Sequence, residues 1–166
     1  IDKFPQNFHN LISLRHLYFY FPKRFQMLYG IGKLTDLQTL SCFNVDQEKG
    51  RRISKLGCLN NLGGELKIHN LELVNDADEA RSANLSGKPN IYKLEYYWGR
   101  NRQGDNQDEN VLEGLQPHPN IKSLKIENFM GNEFPLWAIK MAVKTENTWS
   151  LLENLVEIEL IQCGRC

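Results

Sequence analysis

The sequence predicts a leucine-rich-repeat solenoid: an α/β repeat fold with a parallel β-sheet on its concave side and irregular or helical segments on its convex side. Two observations predict it. The first is an apolar pair separated by one residue and preceded three residues earlier by another apolar side chain, a frame that returns six times along the 166 residues. Its clearest copies, Leu14-x-x-Leu17-x-Phe19 and Leu37-x-x-Leu40-x-Cys42, are offset by 23 residues throughout, so that Leu11 also falls on Leu34. The others are Leu62 with Leu66-x-Ile68, Ile91-x-x-Leu94-x-Tyr96, Ile121-x-x-Leu124-x-Ile126 and Leu155-x-x-Ile158-x-Leu160. The second observation is the spacing of the anchors Leu17, Leu40, Leu66, Leu94, Leu124 and Ile158, which runs 23, 26, 28, 30 and 34. Stacked coils that share one core have such a recurrence, because no single coil can bury its own apolar face.

Each apolar-x-apolar core reads as a short strand whose alternate residues point inward. Six strands stacked in parallel make a sheet roughly 24 Å across. Since strands cannot lengthen without losing register, the growing intervals must leave on the convex side. Asp76-Ala77-Asp78-Glu79 supplies a cap and a first-turn acid, Ala77, Ala80 and Ala83 follow at helical spacing, and Gly87 and Pro89 end the run. A second helix is expected from Asp108 to Leu115, with Val111, Leu112 and Leu115 on one face and Pro117 as the stop. Between them, segment 99–107 has no apolar residue to bury and reads as a mobile loop. The whole chain, 1–166, reads as one leucine-rich-repeat domain of about six irregular repeats. Phe4-Pro5 and Phe8 suit the outer return of a coil whose strand is missing, and Cys166 follows closely on the sixth strand, so the domain is expected to be incomplete at both ends.

No apolar run approaches the roughly 18 residues that cross a bilayer, and no targeting segment opens the chain. Cys42, Cys58, Cys163 and Cys166 are too few and too irregular for a disulfide scaffold; with two of them on inward repeat positions they point to a cytoplasmic setting. The 20 basic and 20 acidic residues cancel, yet residues 1–60 hold nine Lys or Arg against four acids. In a solenoid, position in sequence is position along the axis, so the two ends should differ in potential.

Catalytic and metal motifs fail on spacing. Gly30-Ile31-Gly32-Lys33-Leu34-Thr35 resembles a phosphate loop, but Met27 and Leu34 stand where that loop needs glycine and Ser or Thr. Cys163-x-x-Cys166 lacks a second pair of zinc ligands, and Cys163 falls where this repeat class satisfies turn backbone with Asn or Cys. His9, His16, His69 and His118 lie in different coils without a nucleophile in frame. Asn84-Leu85-Ser86 matches a glycosylation acceptor inside an expected helix. No catalytic residue, metal site or enzyme activity is therefore expected.

What remains is surface. The strand positions that do not point inward form two columns across the concave face: Tyr18, Ser41, Lys67, Glu95, Lys125, Glu159, and Tyr20, Phe43, His69, Tyr97, Glu127, Ile161. Rigid aromatics on a concave sheet suit protein binding, since rings bury much area at small entropic cost. The candidate partner-binding residues are Tyr18, Tyr20, Phe43, Lys67, His69, Glu95, Tyr97, Lys125 and Glu127. Mixed charge makes nucleic acid a poor partner for this face.

Longer blocks carry a family resemblance. Leu62-Gly-Gly-Glu-Leu66-x-Ile68-x-x-Leu71-Glu-x-Val74, Asp76-Ala77-x-Glu79-Ala80-x-x-Ala83-x-Leu85, Val111-Leu-Glu-Gly-Leu-Gln-Pro-His-Pro-Asn120 and Phe134-Pro135-x-Trp137 resemble the repeat region of plant intracellular disease-resistance proteins of the coiled-coil type, which join an NB-ARC nucleotide switch to a leucine-rich-repeat sensor. The resemblance implies that the complete protein detects a pathogen effector, directly or through a guarded host protein, and triggers defence with localised cell death. It implies that the repeats restrain the switch by intramolecular docking, for which the basic residues Arg24, Arg51 and Arg52 are the candidates. ADP or ATP would belong to the NB-ARC domain, which is absent from these residues. The alternative is a stand-alone or truncated protein-binding repeat module without a signalling role.

Overall fold

The computed structural model describes residues 4–5, 7–20, 25–102, 107–139 and 154–164. Its strands are β1 (His16–Leu17), β2 (Thr39–Leu40), β3 (Cys42–Asn44), β4 (Gly63–His69), β5 (Asn90–Tyr97), β6 (Ser123–Glu127) and β7 (Glu157–Ile161). β1 pairs with β2, and β3 to β7 follow in chain order as a five-stranded sheet. Every pairing is parallel. The chain returns along the outside between strands, which is what a parallel order requires.

The leucine frame is the register of this sheet. Leu66, Leu94, Leu124 and Ile158 stand in one row, and Ile68, Tyr96, Ile126 and Leu160 in the next inward row. From β4 to β6 both rows are buried in a core that also takes in Leu34, Leu37, Leu59 and Leu71. Tyr96 lies wholly inside it, and its hydroxyl donates to the Leu115 carbonyl at 2.6 Å. That bond meets the polar requirement of an otherwise apolar position.

The second coil departs from the expected frame. Leu40 is level with Leu17 on one side, but Cys42, Phe43 and Asn44 are level with Lys67, Ile68 and His69 on the other. Ser41 is therefore an extra residue between β2 and β3, and its Oγ accepts the Phe19 amide at 2.7 Å in place of a ladder bond. A slip of one residue exchanges the two faces of a strand. Phe43 consequently points into the core with Ile68, and Cys42 occupies the concave row instead.

The convex segments grow by changing type. Short 3-10 turns serve the early coils (Ile31–Lys33 and Ile53–Cys58), and α1 (Ala77–Arg81), α2 (Gln107–Gly114) and α3 (Leu136–Ile139) serve the later ones. Asp76 caps α1 by accepting the Glu79 amide at 2.8 Å. Ala80 and Ala83 are buried beside it, as are Val111, Leu112 and Leu115 of the α2 coil. A methyl group at Gly114 would lie 2.4 Å from the Ala77 carbonyl oxygen, so α1 and α2 touch where that side chain is missing. Trp137, in α3, donates to the Leu112 carbonyl at 3.2 Å and ties the next return to α2.

Asparagines stitch the coils at both strand ends. Before the strands, Asn61, Asn120 and Asn154 donate to the carbonyls of Thr35, Pro89 and Pro119, each one coil back. After them, Asn70 and Asn128 adopt φ near 61° and donate to Val45 and Trp98. Left-handed backbone suits asparagine better than any other residue with a side chain. Cys163 takes a comparable place, its Sγ 3.7 Å from the Ile126 carbonyl, as a structural cysteine.

One expectation fails at its described end. Segment 99–107 carries no apolar side chain, yet Arg102 is pinned: its guanidinium meets Asp108 at 2.7 and 2.6 Å and donates to Gly99 and Asn128 carbonyls. Polar contacts anchor residues 99–102 where apolar burial cannot.

Candidate binding face

The concave face is built on two acids that lie deep among the strands. Glu95, on β5, faces Lys67 at 3.3 Å and Lys93 at 3.5 Å. Glu127, on β6, faces Lys125 at 3.4 Å and Arg100 at 3.5 Å. Glu95 lies in one row with Lys67, Lys125 and Glu159 and has Lys93 two residues before it, whereas Glu127, level with Tyr97, has Lys125 two residues before it and Arg100 just beyond the end of β5. Neighbouring strands place such charges about 4.8 Å apart, close enough for reach across the row.

Tyr97 sits at the centre. Its ring stacks on His69 with centroids 4.3 Å apart, Lys125 Nζ lies 5.3 Å from its centroid, and its hydroxyl donates to Glu95. Burial pushes the Glu95 carboxyl up, but the Tyr97 hydroxyl, Lys67 and Lys93 outweigh it and hold the carboxyl below its ordinary value. Burial and the Glu95 carboxylate push the Tyr97 phenol up, so it stays protonated and donating. The Lys93 ammonium is held charged chiefly by Glu95. A hollow of about 270 Å³ opens beside this cluster, lined in part by Phe25, His69, Tyr97, Arg100 and Glu127.

The expected partner-binding residues thus fall into two groups. Tyr18 and Tyr20 are exposed, and Lys67, Tyr97 and Lys125 are partly exposed. His69, Glu95 and Glu127 are on the concave side but almost entirely covered, so they hold other side chains in place. Phe43 belongs to neither group, because the Ser41 insertion turns it into the core. Asn44 takes its place level with His69, and Cys42 takes that of Ser41 level with Lys67; Cys42 is buried, and its thiol is pushed up to about 12 by that burial. The frame alone passed over Lys93 and Arg100, whose exposed charges the acids position; the Lys-x-Glu spacing on β5 was the available signal.

Among the docking candidates, Arg51 is occupied internally. It bonds the Met27 carbonyl and Glu48 and lies 5.7 Å from the Tyr29 ring centroid, at the edge of a cavity between the first two returns. Arg52 is exposed, with Nε on the Gln47 carbonyl. Arg24 lies outside the described residues, as does Cys166. Among the described residues no cluster of three or more His, Cys, Asp or Glu could hold a metal, and no helix is long and apolar enough to cross a membrane.

Residues 53–166 match the family model described as R13L1/DRL21 LRRs. The chain belongs to this leucine-rich-repeat family. R13L1/DRL21 repeats are a non-catalytic module, and the match covers β4 to β7 with all three convex helices. The chain is 39% identical over 139 residues to disease resistance protein RGA2 of Solanum bulbocastanum, covering 81% of the chain and 13% of that protein. It is 37% identical over 139 residues to RGA1 of the same species, with 82% and 13% covered. The RPP13-like protein 1 of Arabidopsis thaliana is 38% identical over 107 residues, which is 57% of the chain and 10% of that protein. The R13L1/DRL21 segment therefore corresponds to a small part of these resistance proteins, within their repeat region. No solved structure matches it.

Proposed function

We propose that this segment is the sensing and self-restraining repeat region of a cytoplasmic plant immune receptor. The observation that carries the reading is the concave face itself: cations and the Tyr97 ring held on a rigid parallel sheet, with Tyr18 and Tyr20 exposed just beyond β1, in a family whose relatives are named for disease resistance. A pathogen effector, or a host protein that it attacks, would dock there by protein–protein contact. The parallel ladder keeps the contact residues in fixed rows, so little side-chain entropy is lost on binding. The basic first coils, with Arg52 exposed, would dock on the nucleotide-binding switch and hold it at rest. ADP or ATP would be bound by that switch domain and not by this segment.

The test uses the complete receptor expressed in leaves, scored for cell death with and without its matching effector. Tyr18→Ala with Tyr20→Ala, or Lys67→Glu, should abolish or alter the response to effector while the protein accumulates normally. Arg52→Glu should raise cell death without effector. Unchanged effector responses in all concave variants would refute the sensing role, and an unchanged resting level in Arg52→Glu would refute the docking role.

A further inference from the structure

Burial sorts the signs of charge on the concave face. By formal count the face is mixed, which would leave it with no preference among charged partners. The acids at the centre, however, have side chains only 7% (Glu95) and 9% (Glu127) exposed, whereas Lys67, Lys93, Lys125 and Arg100 are 40%, 31%, 21% and 63% exposed. Each buried acid meets two cations, so each trio carries one net positive charge on its outer side. The acids that do reach solvent are Glu65, level with Lys93 near the start of β4, and Glu157 and Glu159 on β7, where Glu159 comes no nearer to Lys125 than 4.0 Å. The outward positive charge therefore concentrates toward the C-terminal ends of the strands, at Lys67, Lys125 and Arg100.

We infer that the concave face, toward the C-terminal ends of β4 to β6, binds an acidic protein segment, rich in Asp and Glu, whose carboxylates pair with Lys67, Lys125 and Arg100. Charge complementarity selects this occupant. A docking carboxylate finds partly hydrated ammonium and guanidinium groups whose orientation is already fixed by Glu95 and Glu127, so pairing costs little additional ordering. A basic segment would meet the same three cations first and be repelled. The hollow beside Arg100 has space for one side chain of the partner, with Tyr97 and Phe25 as its aromatic walls. The inference deepens the concave-face reading above and depends on it.

The test is fluorescence anisotropy of the 166-residue chain with a fluorescein-labelled twelve-residue peptide of alternating Asp, Glu, Gly and Tyr. The probes for comparison are its Asn/Gln counterpart and an oligothymidine of equal charge. The acidic peptide should bind, weaken as sodium chloride rises from about 50 to 300 mM, and lose at least about tenfold in affinity with K67E/R100E. Lys33→Glu, on the outer turn, should leave binding unchanged. K67M/R100M, which removes charge without reversing it, should give an intermediate loss, and it serves if the reversed variant fails to keep the parent's circular dichroism. Absence of binding, equal binding of the amide peptide, indifference to these substitutions, or oligothymidine binding as tightly as the peptide would each overturn the inference. If the peptide fails while Lys67→Glu abolishes the receptor's response to effector, the concave face stands and only the acidic partner falls. If both fail, the concave reading falls with it.

Discussion

The clasp between Arg102 and Asp108 offers the sharpest test of how these coils are held together. Asp108 stands at the start of α2 with 2% of its surface exposed, and it accepts three described bonds: two from Arg102, at 2.7 and 2.6 Å, and one from the Met130 amide at 2.9 Å. Arg102 also donates to the Asn128 carbonyl at 2.9 Å, so the pair joins α2, the turn after β5 and the turn after β6. Replacing Arg102 by Met leaves a buried carboxylate with a single donor and no counter-charge. Breaking a buried pair in this way costs about 3–5 kcal/mol, because the desolvation of the remaining ion is no longer compensated. Asp108→Asn should cost less, about 1–3 kcal/mol, since the Arg102 side chain is 18% exposed and can recover water.

Replacing both, as Arg102→Met with Asp108→Leu, removes both charges and should be milder than Arg102→Met alone. The assay is urea denaturation followed by tryptophan fluorescence, with amide hydrogen exchange at Met130 and Asn128 to locate the loss. A cost below about 1 kcal/mol for Arg102→Met, or a double variant as unstable as the two single costs added together, would refute the clasp as a buried, coupled pair.

Three further outcomes follow from packing and titration. Phe43→Ala should destabilise the chain by about 3–5 kcal/mol in chemical denaturation, whereas Tyr20→Ala should change it by less than about 0.5; a neutral Phe43→Ala would contradict the displaced register of β3. Gly114→Ala would gain about 1 kcal/mol in helix preference but force a methyl group against the Ala77 carbonyl oxygen, so a net loss of about 1–3 kcal/mol is expected in the same measurement. Lys88 has no exposed surface and donates to the Leu59 carbonyl at 2.9 Å, and burial lowers its pKa below the ordinary lysine value. Between that lowered pKa and about 10.4 the unfolded chain binds more protons than the folded one, so stability should rise with pH across this window. Lys88→Met should flatten the rise in melting experiments from neutral to alkaline pH.

The inward rows were legible because apolar periodicity reports burial directly. Leu66, Leu94 and Leu124 needed only the recurrence of their type, although Ile158 in the same row is 48% exposed, and the helix at Ala77 needed only Asp76 at its cap and glycine and proline beyond. The bonds between coils were less visible. Asn61, Asn120 and Asn154 act on carbonyls 26 to 35 residues away, and a polar residue in a turn does not declare its acceptor. The same holds for Arg102, whose buried partner is six residues ahead and one of whose carbonyl acceptors is a coil on. A stretch without apolar residues looks loose until its charges are paired.

The concave face was legible in position but not in sign or depth. Counting along rows placed Lys67, Glu95, Lys125 and Glu127 together, and that placement holds because β4, β5 and β6 keep one register. It failed at Phe43, where one additional serine exchanged inside for outside. Burial then divided residues that the count treated alike. A glutamate flanked by two lysines can withdraw among strands because its charge is met there, while each lysine keeps its head in water on a long apolar stem. A mixed set of acids and bases can thus gather its outward positive charge at one end of the strands, and only the three-dimensional arrangement shows where.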